Sequence, residues 1–548
     1  MKLSKLSFAV ATALTASVTT SAFALDLYVD TKTKQIFSEP GKGRQKMGAF
    51  EKVEESTHTT THSSNFVNQE HAIQATESDK SEIAKIHHEL ELKGNEIKAL
   101  EEHAKAAEEE GMVEIKKDGG IEFKSRDGNF KMAVNGRMQI DSQVNVNQGL
   151  ANDYVSAAGA QLPATLNDGV GLRRARLGVE GTFFKNTDYK FEYDFTRGNG
   201  TTGAGVTDAY VRYNFSKPLS IKFGAFKEPF SLEEATSNRY ITFIERNMIT
   251  NTFVDNLNTY KMGIGANYAQ EQWQIAGSLQ TEPVGNNGAS NSSTNPNGGS
   301  NRNGGSGDTD WEANVRLSGM PWMESKTKFL HVGASGSYLN LNNNYKSDGS
   351  FSNGGMSFAN GIGNNVDRTS ILNTGALTKG TKGKAGFLEA NHLTRFGAET
   401  ALVYGPFSTQ GEYIQTDVSG TGYNDESLSG YYGYATYFLT GESRAYKSTT
   451  GAWDRIKPTR NFDMKGGLGA WEVAAGYDYM NLNDGVIHGG RASTAKFGLN
   501  WYPNPHVRVN TNYVHALDID TSTVANTTSK SFNNADLDMI ETRIQLDW

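Results

Sequence analysis

From Phe130 to Val146 the chain reads FKMAVNGRMQIDSQVNV, and its residues fall into two sets. The even positions, Phe130, Met132, Val134, Gly136, Met138, Ile140, Ser142, Val144 and Val146, are mostly apolar. The odd positions run through Lys131, Asn135, Arg137, Gln139, Asp141, Gln143 and Asn145 and carry charge and amides. Side chains alternate between the faces of a strand, so this stretch has one apolar and one polar face. It also far exceeds the usual length of about 5–6 residues for a soluble strand. A wall with lipid on one side and water on the other needs this pattern in many strands.

The pattern recurs. Ala175, Leu177, Val179, Gly181 and Phe183 oppose Arg174, Arg176, Gly178 and Glu180, and Tyr189, Phe191, Tyr193 and Phe195 oppose Lys190, Glu192, Asp194 and Thr196. Strands are predicted at 130–146, 170–183, 189–196, 208–214, 220–225, 259–268, 272–281, 310–319, 329–338, 394–404, 407–417, 428–440, 468–480, 491–502, 506–516 and 536–548. Short turns such as Asn186-Thr187-Asp188, Tyr404-Gly405-Pro406 and Pro503-Asn504-Pro505 alternate with long loops at 148–169, 226–258, 282–308, 339–386 and 517–535. An even count of sixteen, with short turns at one end and long loops at the other, predicts an all-β fold: a 16-stranded antiparallel transmembrane barrel over 112–548. Loop 282–308 is almost wholly Asn, Gly, Ser and Thr and reads as solvated. Loop 226–258 is instead rich in Phe, Ile, Tyr and charge, which predicts that it folds into the barrel. Tyr193, Phe195, Trp311, Tyr338, Trp471, Tyr477, Tyr479, Trp501 and Tyr502 fall near strand ends, as interface girdles do. The last strand alternates as far as Trp548, like the terminal aromatic by which outer-membrane barrels are recognised for assembly.

Upstream the period changes. Ile83, Ile86, Leu90, Lys93, Ile97, Leu100, Ala104 and Ala107 fall at alternating steps of three and four, which predicts a short α-helical coiled coil over 76–111. Ile at both seam positions favours three strands, and a helix this polar is marginal alone in water. A single surface helix is the open alternative. Residues 25–75 form an N-terminal periplasmic segment that opens with a strand-like LDLYVDTKTKQIF. Residues 1–24 read as a secretory signal peptide, with Lys2 and Lys5 before an apolar run and Ala22-Phe23-Ala24 as the cleavage site. No later stretch approaches the ~18–20 apolar residues of a membrane-spanning helix, so a barrel is the remaining route into a membrane.

Composition narrows the chemistry. With no cysteine, a disulfide framework, a thiolate metal site and a lipid-modified N-terminal Cys are excluded. Hydrophobic residues make up only 37% and glycines number 59, low for a packed globular enzyme but suited to a wet barrel with polar loops. The net charge of −8 is uneven. Residues 25–111 hold 11 basic against 18 acidic side chains, leaving 112–548 near neutral, so selectivity for charged solutes must come from placement. No nucleophile elbow, zinc-binding His-Glu-x-x-His or phosphate-cradling Gly-rich loop occurs, which argues against an enzyme, a cofactor, a metal site or a nucleic-acid partner.

Several stretches carry a resemblance: GLRRARLGVEGTFF at 171–184, YKFEYDF at 189–195, GAFKEPFSLEEATSNRYITFIER at 224–246, YGPFSTQGEYI at 404–414, YFLTGESRAYKSTTGAWDRIKP at 437–458 and GLNWYPNPHVRVNTNYVH at 498–515. With LDLYVDTKTKQIF they resemble the phosphate-selective porin family of the O and P type. The resemblance implies a homotrimer in outer-membrane lipid, an inward third loop, and a ladder of arginines leading small anions such as phosphate to a constriction. The residues that match this path are Arg137, Arg174 and Arg176 on predicted lumen faces, Ser237 and Arg246 in the third loop, and Asp208 with Arg212 on the fourth strand. Glu233 and Glu234 depart from the pattern, standing where a phosphate trap would carry lysine.

Arginine suits phosphate because its planar fork gives bidentate, charge-assisted hydrogen bonds at any working pH. The competing reading is that lumen arginines brace the wall against Glu180, Glu192, Asp194 and Asp208. Segment 442–457, with Arg444, Lys447, Arg455 and Lys457, either folds into the periplasmic mouth or remains a solvated turn. Two functions follow: a passive anion-preferring porin for phosphate or polyphosphate, or a structural outer-membrane protein that tethers the membrane to the periplasm, with the cell wall as the stalk's partner, and has only a general non-selective pore.

Overall fold

Sixteen strands close into a single antiparallel barrel. The computed structural model describes residues 25–30, 36–37, 44–50, 77–109, 112–115, 121–125, 127–149, 153–155, 161–163, 165–196, 205–255, 260–283, 300–302, 305–306, 310–351, 356–363 and 366–548. The expected signal peptide and most of loop 282–308 lie outside these residues. The barrel strands are β1 Phe130–Gly149, β2 Gly169–Phe183, β3 Thr187–Asp194, β4 Val206–Asn214, β5 Leu219–Lys227, β6 Tyr260–Ala269, β7 Trp273–Pro283 and β8 Trp311–Ser325. They continue as β9 Lys328–Asn340, β10 Glu389–Tyr404, β11 Phe407–Thr421, β12 Glu426–Phe438, β13 Ala470–Asp484, β14 Ile487–Asn504, β15 Val507–Asp520 and β16 Asp536–Asp547. Every predicted strand has its counterpart.

Closure runs from Asp547 opposite Arg137 to Asp536 opposite Gly149. A hairpin of Met112–Ile115 and Ile121–Lys124 takes the rest of that edge of β1, pairing with Lys131 to Val134, so the edge is covered along its length. Trp548 completes the seam. Its backbone exchanges hydrogen bonds with Gly136 in both directions at 3.2 Å, and its ring lies where a Cβ on Gly136 would sit.

Within the N-terminal unit, Leu25–Asp30 pairs with Ile36–Phe37 and with Arg44–Phe50 in a three-stranded sheet. The predicted stalk is one continuous helix, α1, Glu77–Glu109. Its seam residues Ile86, Leu90, Ile97 and Leu100 are exposed.

Outward positions are apolar as predicted, with Trp311, Tyr338 and Tyr477 exposed on the wall and Trp471 stacked on Trp501. Tyr502 is an exception to the girdle. It shares the inward face with Asn500, is buried, and donates to Glu472 at 2.9 Å.

The interior differs from a uniformly wet lumen. Between β9 and β16 it holds an apolar core in which Leu393, Ile414, Val418, Leu428 and Met480 of the wall meet Phe230, Phe243, Ile249 and Phe253 of the third loop. The third loop therefore folds inward as its composition predicts, carrying short helices α2, Leu232–Ala235, and α3, Met248–Phe253. The fifth loop, between β9 and β10, is inside as well. Its Phe358, Ile362, Ile371 and Leu377 are buried in the same core, apolar residues hidden in otherwise Asn/Gly-rich text. The long connection between β12 and β13 also turns inward, and Trp453 in it is buried.

The seam yields a prediction. Gly136→Val forces the Trp548 ring from its seat, an overpacking that costs about 1–3 kcal/mol. The folded barrel's band on a semi-native gel should then disappear at a lower temperature than in the wild type.

Candidate functional site

The third loop brings its backbone polar groups into the barrel, and the wall answers them. Glu412 accepts from the backbone N–H groups of Leu232 at 3.1 Å and Glu233 at 2.8 Å, at the start of α2. Asp478 accepts from Met248 N–H at 2.8 Å, at the start of α3. Arg508 donates to the carbonyls of Ile241 and Thr242 at 2.6 and 2.7 Å, and Arg395 to that of Phe253 at 2.7 Å. Both helix N-termini are thus satisfied by wall carboxylates.

Three cavities that share lining residues follow the third loop, the upper one against β14–β16 and the middle and lower ones beside β2–β8. The upper one, about 20 Å³, lies between the third loop, Asn360 to Gly363 of the fifth loop and the wall at Lys496, Asn512 and Glu541. Arg246 lines it and also the middle one, of about 40 Å³. Lys227 lines the middle cavity and also the lower one, which opens to about 380 Å³. The middle cavity, with room for one or two waters, is strongly cationic. Arg173, Arg174, Arg176, Lys227 and Arg246 face it, against Asp194 and Asp255, with Asn238 and Tyr260 completing it. The lower cavity is lined by Arg212, Lys217, Lys222, Lys227, Arg316 and Lys447, with Glu228 as its carboxylate.

Of the residues predicted for an anion path, Arg174, Arg176 and Arg246 meet in the middle cavity. Arg137 is next to it, hydrogen-bonded to Asn238 and to Glu192, the latter at 3.0 Å. Arg212 lines the lower cavity while held by Asp188 at 2.6 Å. Asp208 and Ser237 line none of the three. Asp208 pairs with Lys190 at 2.7 Å, and Ser237 sits in a turn of the third loop where its carbonyl accepts from Tyr240 N–H.

The bracing alternative holds for part of the set. Arg176 is clamped by Glu192 at 2.9 Å and Asp194 at 2.8 Å, while Glu180 is exposed. Arg316 is locked on Glu399 at 2.6 Å, Arg395 on Glu228 at 2.7 Å and Arg543 on Asp141 at 2.6 Å. Arg174 stands apart. It donates to Gln139 at 2.9 Å, its charge partner Glu245 is 3.8 Å away, and its buried Nε–H, like that of Arg137, has no acceptor.

Arg173 escapes the alternation rule, which points it toward lipid. A bulge in the β1–β2 register pairs Gln139 with Arg174 and Ile140 with Leu172, turning Arg173 inward onto Glu245 at 2.7 Å. The signal was an arginine on an otherwise apolar face. Asn238 and Tyr260 were also missed: the folded third loop brings Asn238 to Arg137, and the wall brings Tyr260 of β6 within 2.9 Å of Arg176.

Glu233 and Glu234 do not face the passage as a repelling pair. Glu233 accepts from the backbone and side chain of Asn247 at 3.0 Å, and Glu234 is 2.8 Å from Arg246 and 2.6 Å from Lys227. Burial pushes both carboxyls up from the ordinary range. Burial acts on Glu245 in the same direction, but Arg173, Arg174 and Arg543 outweigh it and hold that carboxyl well below the usual range.

A closed sixteen-stranded wall with an internal loop and a cationic passage defines an outer-membrane porin. The chain belongs to the phosphate-selective porin O and P family, whose sequence profile matches residues 144–548. It is 28% identical over 421 residues to Porin O of Pseudomonas aeruginosa, covering 74% of this chain and 87% of that one. It is 27% identical over 403 residues to an uncharacterized protein of Caulobacter vibrioides, covering 73% and 71%. Among solved structures it is similar to the outer membrane channel DcaP of Acinetobacter baumannii, with 12% identity, 78% of this chain and 99% of that one covered, and a TM-score of 0.42. That likeness is too slight to bear on function.

Passage and brace separate experimentally. Arg316→Ala leaves buried Glu399 without a guanidinium, facing His331 at 2.9 Å, and should cost about 3–5 kcal/mol, lowering the temperature at which the folded band is lost. Arg174→Ala leaves Glu245 paired with Arg173 and Arg543, so thermal stability should stay near wild type while ion selectivity changes.

Proposed function

We propose that this porin is a passive channel that prefers anions, with inorganic phosphate or polyphosphate as its foremost solutes, and that it works as a homotrimer with α1 as a periplasmic coiled coil. The observation that carries the anion reading is the middle cavity, where five cations face two carboxylates and Arg174 keeps an unused N–H. An anion there exchanges part of its hydration shell for guanidinium forks. Because Arg176 and Arg246 are already shared with carboxylates, each gives the solute only part of its hydrogen-bonding capacity, which favours release into the wider lower cavity. Burial of Glu233 and Glu234 against loop partners supports the same reading. A tether with a non-selective pore is the weaker alternative, since it leaves the gathering of cations along one side of the lumen without a use.

The exposed seam of α1 supports self-association. The isolated segment 76–111 should sediment as a trimer at high concentration; a monomer removes this part of the proposal.

Wild-type channels in a potassium chloride gradient should give a reversal potential of the anion-selective sign, and added phosphate should reduce chloride current. Arg174→Ala should move the reversal potential toward zero and weaken phosphate block. Wild-type channels with no anion preference would overturn the reading.

A further inference from the structure

The connection between β12 and β13, residues 439–469, lies on the short-turn, periplasmic side, yet its middle is inside the barrel. Tyr446–Lys447 pairs with Ala452–Trp453 in a small hairpin, and Lys447 and Thr450 face the lower cavity. Arg316 donates to the hairpin's Gly451 carbonyl at 2.7 Å, and the Tyr446 hydroxyl lies 2.6 Å from His331 Nδ1. Gly451 has φ 54°, and a Cβ there would come within 2.5 Å of Ser318 Oγ, so the chain can pass this close to the wall only as glycine.

At the hairpin's end the connection meets the third loop. Trp453 donates its backbone N–H to Thr236 Oγ1 at 3.2 Å and its indole N–H to Gln410 at 2.5 Å. Its ring shares an apolar cluster with Leu232 of α2, and the Arg444 guanidinium covers it at 3.9 Å. A second contact follows two residues on. Arg455 lies over the ring of Tyr240 at 5.5 Å and bonds Asp547 at 2.5 Å, while Asp547 also reaches Arg239 of the third loop at 3.5 Å. The same loop stretch carries Asn238, which lines the middle cavity.

We infer that this periplasmic connection is a strut for the constriction, with Trp453 as the positioning residue that holds the third loop from below. Wall Glu412 grips α2 at its first N–H groups, and Trp453 adds an aromatic support under this helix of only one turn. Without that support α2 and the residues after it gain room to move, and the position of Asn238 and Arg246 across the middle cavity ceases to be fixed. The pore's steadiness is thereby set from the periplasmic side. This goes beyond the anion reading and is independent of which ions pass.

The test is single-channel recording of the full-length protein in planar bilayers. Trp453→Ala should lose the single steady conductance level and flicker between sublevels, while Trp453→Phe, which keeps a ring, should retain it. The natural chain has no cysteine, so the pair Thr236→Cys and Trp453→Cys can replace the ring's hold by one covalent bond. The double variant should be steady when oxidised and flicker when reduced. A wild-type steady level in Trp453→Ala, flicker unchanged by oxidation, or failure of the two cysteines to join in the assembled barrel would each overturn the inference. Because the readout is steadiness, a channel with no anion preference would still show it, which separates failure here from failure of the anion proposal.

Discussion

A peptide loop placed inside a barrel must find a partner for each backbone polar group it takes out of water, and the interior of this porin is arranged around that requirement. Wall carboxylates Glu412 and Asp478 receive the N–H groups that begin α2 and α3, and wall arginines Arg508 and Arg395 bind the loop's carbonyls. Each such contact needs a charged or polar side chain on an inward strand position, so the charges that hold the loop and those that line the passage are drawn from the same faces. An arginine can serve either purpose. What distinguishes them is how completely its five N–H groups are taken up.

That distinction explains how a near-neutral barrel can hold a locally cationic path. Arg316, Arg395 and Arg543 are neutralised by carboxylates at close range and act as structure. Arg174 is held at longer range and keeps a donor in reserve. Glu233 and Glu234, which look adverse in a linear reading, lie behind the passage and hold Asn247, Arg246 and Lys227 in place.

The lumen is divided in cross-section. The third and fifth loops press an apolar core against β9–β16, while the middle and lower polar cavities lie beside β2–β8. Packing of this kind fixes the loop to the wall more firmly than hydrogen bonds alone, because the apolar surface it buries has no use in water. The inward hairpin beneath adds Trp453 to the same scheme from the periplasmic end.

Strand number, strand faces and the inward third loop were legible in the chain itself, because alternation is local: the residue two positions away reports which face is wet. The same rule found the inward faces carrying Arg137, Arg174 and Arg176. It could not find Arg173, since one bulge reverses the count, nor the fifth loop, whose buried Phe358 and Ile371 are dispersed among polar residues. Above all it could not say which arginine is a brace. Glu399 is held by Arg316 from two strands away, and Asn238 reaches Arg137 only because the loop crosses the lumen. Partners so distant in sequence are chosen by closure of the barrel and the path of the loop, so the tertiary structure alone decided which charges are cancelled and which remain to meet a solute.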